Sequence, residues 1–437
     1  MEPLRTLYTL AGFLMLPLLP FRLWWRGRRE PGYRVAIGER FGRYARPAPS
    51  TTRIWVHAVS AGETRAAVPL VDALQAAHPR ARLLVTHMTA TGRDAGRTLF
   101  GDRVEQAWLP YDLPFAVRSF LEHYQPVAGF LVETELWPNL AAHAAESAIP
   151  LFLVNARMSS RSARGYARVP ALTRPLLKRL AGVAAQSLDD ASRLKALGAH
   201  APVVTGNIKF DITITPEARA LGNGLRARFG ATRPVWVAAS TRDGEEVMIL
   251  DALSRSPLPA ETLLVIVPRH PQRFKEVAAL LDARGVEFAR RSEGGAVPAD
   301  VGVVLGDSMG EMLAYYAAAD VAFVGGSLMP LGGQNLIEAL AAGAPVLIGP
   351  HTFNFGEAAA GAVAAGAAQR VADADALVHT VSELFTDPSR REAMREAAGA
   401  FHAAHRGATQ RLVEWIAPQL DDAMRRREGA LSRSDRG

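Results

Sequence analysis

The sequence predicts an α/β fold built from two doubly wound domains. Short apolar runs typical of buried strands alternate with helical patterns from residue 53 to about 211, and a second series begins near 234. Such alternation favours parallel sheets whose two faces are covered by helices. At 437 residues the chain is also too long for one ordinary domain. We therefore expect two domains of similar size.

The strand-like runs also set the limits of the expected parts. They pause after residue 211, where "PEARALGNGLRARF" indicates a connecting helix, and they are absent from the helical stretch after residue 388. The predicted parts are an apolar and basic segment at 1–30, a first domain at 31–211, a linker at 212–233, a second domain with a helical tail at 234–427, and a flexible tail at 428–437.

The N-terminal segment indicates a membrane anchor. Residues 6–21, "TLYTLAGFLMLPLLPF", are uncharged and mostly apolar, and Trp24, Trp25 and a cluster of arginines follow them. A cleaved signal peptide would instead end in small residues. Since Trp favours the membrane interface and arginines mark its cytoplasmic side, we expect an uncleaved anchor with the domains facing the cytoplasm. A full span needs about 20 apolar residues, so this segment either spans the membrane or only inserts into it.

Composition narrows the classes of function. The sequence pI of about 9.9 would suit nucleic acid, but only four of the 50 basic residues are lysine, and the arginines are spread along the chain. No zinc-finger spacing or aromatic RNA-binding pattern accompanies them, so we do not expect nucleic acid as a partner. The absence of cysteine excludes disulfides and thiolate metal sites. "DAD" at 373–375 precedes a helical pattern and reads as a helix cap rather than a metal site.

In open parallel sheets, ligands bind beyond the carboxyl ends of the strands, so the strand exits are the candidate sites. In "PLGGQNLIEAL", Gly332 and Gly333 precede a helix expected to begin near Asn335. Glycines let a backbone approach an anion at a helix start, and Glu338 would suit ribose hydroxyls. The alternative is an ordinary loop in which Glu338 caps the helix. Neither the dinucleotide fingerprint nor the P-loop pattern occurs.

Two further strand exits carry groups that suit a phosphate. In "VPRHP", Arg269 follows Pro268 at the end of an apolar run, and arginine binds phosphate in a bidentate manner. In "GDSMGEM", the backbone amides of Met309, Gly310 and Glu311 face the same expected edge of the sheet. The alternatives are a surface arginine and a plain helix-capping turn.

Four charged residues stand out in the first half of the chain. Glu63 in "HAVSAGE" follows a glycine at the junction between a predicted strand and a predicted helix. It is therefore either a residue that favours the start of the helix or a base positioned for catalysis. A helix dipole favours a carboxylate at this place, so we expect Glu63 to be ionised. Lys209 in "GNIKFD" is one of only four lysines in a chain whose other basic residues are arginines. Glu133 and Glu135 end an apolar run, where a carboxylate needs a partner, and either could be structural.

The motifs quoted above, together with "ETELWPNL", "NARMS", "FVGGS" and "GPHTFNF", occur in an order that resembles the 3-deoxy-D-manno-octulosonic acid (Kdo) transferases of Gram-negative bacteria. The resemblance implies a GT-B glycosyltransferase, in which two Rossmann-like domains face a cleft that holds the site. It implies CMP-Kdo as donor, lipid IVA as acceptor, no cofactor or metal, and a place at the cytoplasmic face of the inner membrane. The number of Kdo residues added stays open.

The resemblance also implies residue roles. Glu63 is similar to the family's catalytic base in an inverting transfer, and Glu133 and Lys209 are similar to residues that stabilise the transition state. The elements that resemble the CMP-binding parts are Pro268 and Arg269, then Met309, Gly310 and Glu311, then Asn335, Leu336, Ile337 and Glu338. Around the glycines, Pro330, Leu331 and Gln334 depart from the charged pair and histidine of many members, which puts donor contacts by those side chains in doubt.

Two other hypotheses remain at this stage. One is a different GT-B transferase that moves a sugar from a UDP-sugar to a lipid acceptor. The other is a membrane-anchored nucleotide-binding or scaffold protein without catalysis, in which Glu63 only caps a helix.

Overall fold

The computed structural model describes residues 3–44, 51–259 and 261–434. The chain forms two compact units: residues 212–406 make the second, and the residues before and after them make the first. The chain thus divides between Asp211 and Ile212.

The first unit is a seven-stranded, all-parallel sheet in the order β3-β2-β1-β4-β5-β6-β7. Its central strands are buried along their whole length, as expected for a sheet covered on both faces. The strands are β1 Arg53–His57, β2 Arg82–His87, β3 Val104–Trp108, β4 Pro126–Val132, β5 Leu151–Ala156, β6 Gly182–Ala185 and β7 Val203–Val204. The helices before the division are α1 Pro3–Met15, α2 Leu18–Arg29, α3 Ala61–Ala66, α4 Val68–Ala77, α5 Ala90–Phe100, α6 Pro114–Tyr124, α7 Pro138–Glu146, α8 Ser160–Ala167, α9 Pro170–Arg179 and α10 Leu188–Leu197.

The second unit repeats this architecture with a parallel sheet in the order β10-β11-β9-β8-β12-β13-β14. Its strands are β8 Val235–Thr241, β9 Leu263–Pro268, β10 Phe288–Arg290, β11 Val303–Leu305, β12 Val321–Val324, β13 Val346–Ile348 and β14 Ala368–Arg370. Its helices are α11 Pro216–Phe229, α12 Glu245–Arg255, α13 Arg273–Ala283, α14 Met312–Ala318, α15 Ile337–Ala341, α16 Gly356–Ala364, α17 Ala374–Thr386 and α18 Pro388–His405. Both units therefore have the doubly wound form that the sequence predicts.

The linker predicted at 212–233 is part of the second unit. Its helix α11 packs against α14 and buries Leu225 and Phe229. Burial of these apolar side chains favours packing of the segment onto the unit that follows it, so the segment is not a linker between two domains.

Only part of the predicted helical tail belongs to the second unit: α18 does, but the last helix does not. The last helix, α19 (Ala408–Ser434), packs on the first unit, where Leu412, Ile416 and Leu420 join the core under β1 and β4. The carboxylate of Asp211 accepts hydrogen bonds from the backbone amides of Gly407, at 2.6 Å, and Thr409, at 2.5 Å. An apolar stripe predicts that a helix is buried but does not say against which sheet. The helix also continues through residues 428–434, where a flexible tail was expected.

The N-terminal segment forms two helices joined at a bend of 58°. Among the described residues no single helix is long and apolar enough to cross a membrane, but α1 and α2 together have the length and composition for it. One face of α1 is fixed to the first unit, because the buried Thr9 hydroxyl donates to the side-chain oxygen of Asn139 at 3.1 Å. The other face exposes large apolar side chains, among them Leu7, Leu14 and, on α2, Phe21.

Candidate active site

Glu63 lies in the first turn of α3, just beyond the carboxyl end of β1. Its backbone amide donates to the Ser60 hydroxyl at 3.4 Å, and its carboxylate accepts from the Val59 amide at 2.7 Å and the Ser60 hydroxyl at 3.0 Å. This reciprocal arrangement is that of a helix cap. A side-chain carbon added at Gly62 would meet nothing closer than 3.8 Å, so the backbone beside the carboxylate is open. The capping contacts hold Glu63 in place, and they do not exclude its action as a base.

Glu133 and Lys209 form an ion pair at the same edge of the sheet. Glu133 directly follows β4 and has a positive φ of 66°, which is strained for a residue with a side chain. Its carboxylate Oε1 lies 2.6 Å from the Lys209 ammonium, and each side chain is about one-fifth exposed. The turn that carries Lys209 is held by Asn155, whose side-chain oxygen accepts from the Ile208 amide at 3.1 Å. The structure therefore joins two residues that lie 76 positions apart in the sequence.

Glu135 is a third carboxylate of this cluster, and the family resemblance implies no role for it. The Trp137 indole donates to its Oε2 at 2.9 Å, and its charge interacts with those of Glu63 and Glu133. The signal for it was the pair of carboxylates in "ETE" directly after a buried strand. We refer to Glu63, Glu133, Glu135 and Lys209 as the carboxylate cluster.

The electrostatics of the cluster correct the expectation that Glu63 is simply ionised. Burial raises the pKa of Glu63 from 4.5 to about 7, and the charge of Glu133 adds to this effect. The Val59 amide, the Ser60 hydroxyl and Lys209 act in the opposite direction. Burial, followed by the charge of Glu63, raises the pKa of Glu135 to about 7 as well. Desolvation thus outweighs the two hydrogen bonds and the charge of Lys209, and it places the pKa of Glu63 near neutral pH.

In the second unit, the glycine turn adopts the conformations that glycine permits. Gly332 and Gly333 have φ values of 90° and 73°. Helix α15 begins at Ile337, slightly later than expected. The side-chain oxygen of Asn335 accepts from the Ile337 amide at 3.1 Å, and its side-chain nitrogen donates to Glu338 at 3.0 Å. The side chain of Leu336, like that of Ile337, is buried, so these two offer a ligand only backbone groups, whereas Asn335 and Glu338 are partly exposed.

A hydrogen bond connects the β9 exit to this turn. Arg269, which follows Pro268 at the end of β9, donates from Nε to the side-chain oxygen of Gln334 at 3.0 Å. One doubt from the sequence concerned Gln334, which stands where many family members differ. In this chain Gln334 positions the arginine, so Arg269 and the glycine turn form one surface.

The third predicted donor element lies at the start of α14. Met309 is exposed, Gly310 has a φ of 82°, and Glu311 accepts from the Ser308 hydroxyl at 2.6 Å and pairs with Arg291 at 3.1 Å. Within the described residues, the hydrogen bonds use none of the backbone amides of 309–311. The Glu311 side chain is therefore engaged in structure, and the amides are what this turn can offer an anion.

Glu245 holds the loop that carries the glycine turn, and sequence reasoning missed it. The residue is fully buried, and its carboxylate accepts from the amides of Gly326 at 2.6 Å, Leu328 at 3.0 Å and Arg242 at 2.9 Å. A carboxylate that accepts several backbone hydrogen bonds is a strong local anchor. The signal in the sequence was "DGEE", two acids at a helix start after a glycine.

The residues that the structure describes contain no group of three or more side chains that could hold a metal ion. Asp373 of "DAD" caps α17 by accepting from the Ala376 amide at 2.8 Å. A reaction without metal stays a prediction.

Comparisons with known proteins agree with this architecture. Residues 36–212 match the family model described as 3-deoxy-D-manno-octulosonic-acid transferase (kdotransferase), and residues 288–400 match the model of glycosyl transferases group 1. Among solved structures, HepE from Anabaena in complex with UDP is similar over 85% of this chain and 100% of its own length, with a TM-score of 0.58 at 14% sequence identity. At that identity the likeness shows the fold alone. The fold and the matched models define a glycosyltransferase of the GT-B class.

The curated relatives identify the family. The 3-deoxy-D-manno-octulosonic acid transferase of Bordetella pertussis is 48% identical over 94% of this chain and 99% of its own length. The enzyme of the same name from Haemophilus influenzae is 37% identical over 95% of this chain and 99% of its own. The chain belongs to the 3-deoxy-D-manno-octulosonic acid transferase family.

We expect Glu63→Gln to change how stability depends on pH. Because the pKa of Glu63 lies at about 7 in the folded chain, above its ordinary 4.5, the folded state binds more protons than the unfolded state between these values. Stability therefore falls as the pH rises through this interval. Glutamine removes this titration and keeps an oxygen that can accept from the Val59 amide.

Thermal unfolding of both proteins at about pH 5 and pH 8 measures this effect. The wild type should lose more stability over the interval than Glu63→Gln, whereas Glu122→Gln, which removes an exposed carboxylate, should behave like the wild type. Equal losses in the wild type and Glu63→Gln would contradict the raised pKa.

Proposed function

We propose that this protein transfers Kdo from CMP-Kdo to lipid IVA, with inversion at the anomeric carbon and without a metal ion. The observation that carries the proposal is the carboxylate cluster, at the carboxyl edge of the first sheet, in a chain 48% identical to a 3-deoxy-D-manno-octulosonic acid transferase along nearly its whole length. The HepE likeness, seen with UDP, shows the fold alone and gives no support to a UDP-sugar donor.

In the proposed mechanism Glu63 removes the proton from the acceptor hydroxyl. The oxygen attacks the anomeric carbon of Kdo, the bond from that carbon to the CMP phosphate breaks, and CMP leaves with the electron pair. A base with a pKa near the working pH combines enough ionised form with enough proton affinity, and burial provides this for Glu63.

Glu133 and Lys209 have electrostatic roles in this mechanism. Positive charge develops on the anomeric carbon as the CMP bond breaks, and the Glu133 carboxylate favours it. The Lys209 ammonium lies 2.6 Å from that carboxylate and balances its charge. It also lowers the pKa of Glu63, so that the base is partly free of its proton at neutral pH.

The second unit binds the CMP part of the donor in this proposal. Arg269 suits the phosphate as a bidentate donor, the amides of 309–311 are available for an anion, and Glu338 in the first turn of α15 suits the ribose hydroxyls. Pro268, Leu336 and Ile337 would contribute backbone groups to CMP binding. The side chains of Leu336 and Ile337 are buried and cannot contact a ligand.

The direct test incubates the purified protein with lipid IVA, CMP-Kdo and EDTA in detergent and measures the lipid by mass spectrometry. We expect a product heavier by one or more Kdo units, and we expect Glu63→Gln to reduce the rate by about 10²-fold or more because general-base catalysis is lost. Glu122→Gln is the matched control and should keep full activity.

The possible results separate the hypotheses. Turnover of a UDP-sugar without turnover of CMP-Kdo would overturn the proposal, and full activity of Glu63→Gln would restrict that residue to helix capping. A folded wild type that transfers neither sugar would favour a non-catalytic nucleotide-binding protein.

We also propose that the chain works at the cytoplasmic face of the inner membrane, bound through α1 and α2. The exposed apolar face of this pair is followed by arginines at 22, 26, 28 and 29, a combination that favours an anionic lipid surface. The polar contact from Thr9 to Asn139 ties α1 to the first unit. The pair therefore supports attachment in a fixed orientation.

Replacing Leu14 and Phe21 by asparagine should release the protein from membranes. Both side chains are exposed, at 80% and 66%, so the substitution removes lipid contacts without disturbing the core. Leu188→Asn with Val363→Asn, at exposed positions elsewhere, is the matched control. Membrane flotation of the full chain should separate the two variants; equal membrane retention in both would contradict attachment through α1 and α2.

A further inference from the structure

Arg242 lies at the carboxyl end of β8 and has no part in the CMP contacts proposed above. It directly follows Thr241, the last residue of that strand, and it is partly exposed. Its backbone amide donates to the buried Glu245 at 2.9 Å, whereas its guanidinium makes no hydrogen bond or ion pair within the described part of the chain. Ligands of parallel sheets bind beyond this edge, so the guanidinium is available to one.

The acidic residues that follow Arg242 in the sequence are engaged with other groups. Asp243 and Glu246 both pair with Arg273, the latter at 2.8 Å. Glu245 accepts hydrogen bonds from three backbone amides. These carboxylates therefore do not neutralise the Arg242 guanidinium.

Arg242 and Arg269 begin at neighbouring places on the edge of the sheet. Thr241 and Pro268 are partners in the register of β8 and β9, and the two arginines directly follow them. The Arg269 amide donates to the Thr241 carbonyl at 3.0 Å, so the strands are still paired at this point. Since paired strands lie about 4.8 Å apart, the backbones of the two arginines are close neighbours.

Both arginines also border the loop that carries the glycine turn. A side-chain carbon added at Gly326 would lie 3.5 Å from Cγ of Arg242 and 3.1 Å from the side-chain nitrogen of Gln334. The side-chain oxygen of Gln334 accepts from Arg269 at 3.0 Å. Arg242, Gln334 and Arg269 therefore form one continuous group beside the turn.

The charges of the two arginines act on the same neighbour. Burial, followed by the charges of Arg269 and Arg242, lowers the pKa of His270 below its ordinary value. The loop from residue 325 to residue 334 contains no charged side chain. The positive charge beside the glycine turn therefore comes from the ends of β8 and β9.

The proposed donor carries two anionic groups on one carbon. Kdo is a 2-keto acid, so its anomeric carbon bears a carboxylate, and in CMP-Kdo the same carbon also bears the CMP phosphate. A buried or half-buried site that receives both groups needs a positive partner for each. Two arginines that follow paired strand positions match this arrangement.

We propose that Arg242 binds the carboxylate of the Kdo unit while Arg269 holds the CMP phosphate, so that Arg242 selects a donor whose sugar is an acid. Arginine suits this task because its planar guanidinium donates two parallel hydrogen bonds to a carboxylate. The inference rests on the proposed function, which supplies CMP-Kdo as the donor.

The test measures the KM for CMP-Kdo and the inhibition constant of CMP, a competitor that lacks the carboxylate, with the full chain and lipid IVA in detergent. In Arg242→Gln we expect the KM for CMP-Kdo to rise by roughly tenfold or more, because a charge-assisted contact with the bound donor is lost. The inhibition constant of CMP should stay unchanged. The matched control is Arg219→Gln, which removes an exposed arginine of α11 in the same unit and should alter neither value.

Two further variants separate the carboxylate contact from other effects. Arg242→Lys keeps the charge but not the two parallel hydrogen bonds, and it should recover part of the affinity for CMP-Kdo. Arg269→Gln should raise both the KM for CMP-Kdo and the inhibition constant of CMP, because both molecules carry the phosphate.

An unchanged KM for CMP-Kdo in Arg242→Gln would overturn the inference. An equal rise in the inhibition constant of CMP would assign Arg242 to the phosphate and would also overturn it. A wild type that forms no product from CMP-Kdo would contradict the proposed function and the inference together, whereas an active wild type with an unaffected Arg242→Gln would contradict the inference alone.

Discussion

The crowding of three carboxylates around one ammonium group is the constraint on which the first unit's site depends. Glu63, Glu133 and Glu135 are partly buried at one edge of a sheet, and burial together with like charges raises the pKa values of Glu63 and Glu135. Lys209 offsets this at 2.6 Å from Glu133. Its place depends on Asn155, which holds the turn that presents it. Without that cation, Glu63 would keep its proton more tightly and would be a weaker base at neutral pH.

How much of this cluster the sequence could predict follows from the range of each interaction. The place of Glu63 at a helix start is local, and both the cap and the open backbone at Gly62 were foreseeable from "SAGE". Its pKa was not, because it depends on burial and on Glu133, 70 positions further along the chain. Family resemblance implied roles for Glu133 and Lys209, but their ion pair, which joins distant parts of the chain, was not predicted. Glu135 was visible as a carboxylate after a strand, but its proximity to Glu63 is a tertiary fact.

The same division between local and long-range causes explains the other outcomes. The two doubly wound units were predictable because the apolar pattern of a buried strand is visible within a few consecutive residues. The packing of α19 on the first unit was not predictable, because an apolar stripe does not indicate which surface will cover it. In the second unit, the glycine turn was recognisable from its residues, whereas its support by Glu245 crosses 81 positions to Gly326. Gln334 departs from the pattern of many family members, and its role in positioning Arg269 could be recognised only from the structure.

The measurement that tests the account most directly is the pH dependence of kcat/KM for lipid IVA in the wild type and in Glu133→Gln. If Glu63 is a base whose pKa burial and Glu133 raise to about 7, the wild-type rate should increase with pH through a midpoint near that value. The midpoint should move to lower pH in Glu133→Gln, because one repulsive charge is removed, even though the maximal rate falls. A wild-type midpoint near 4.5, the ordinary value for glutamate, or a midpoint that Glu133→Gln leaves unchanged, would contradict the central claim.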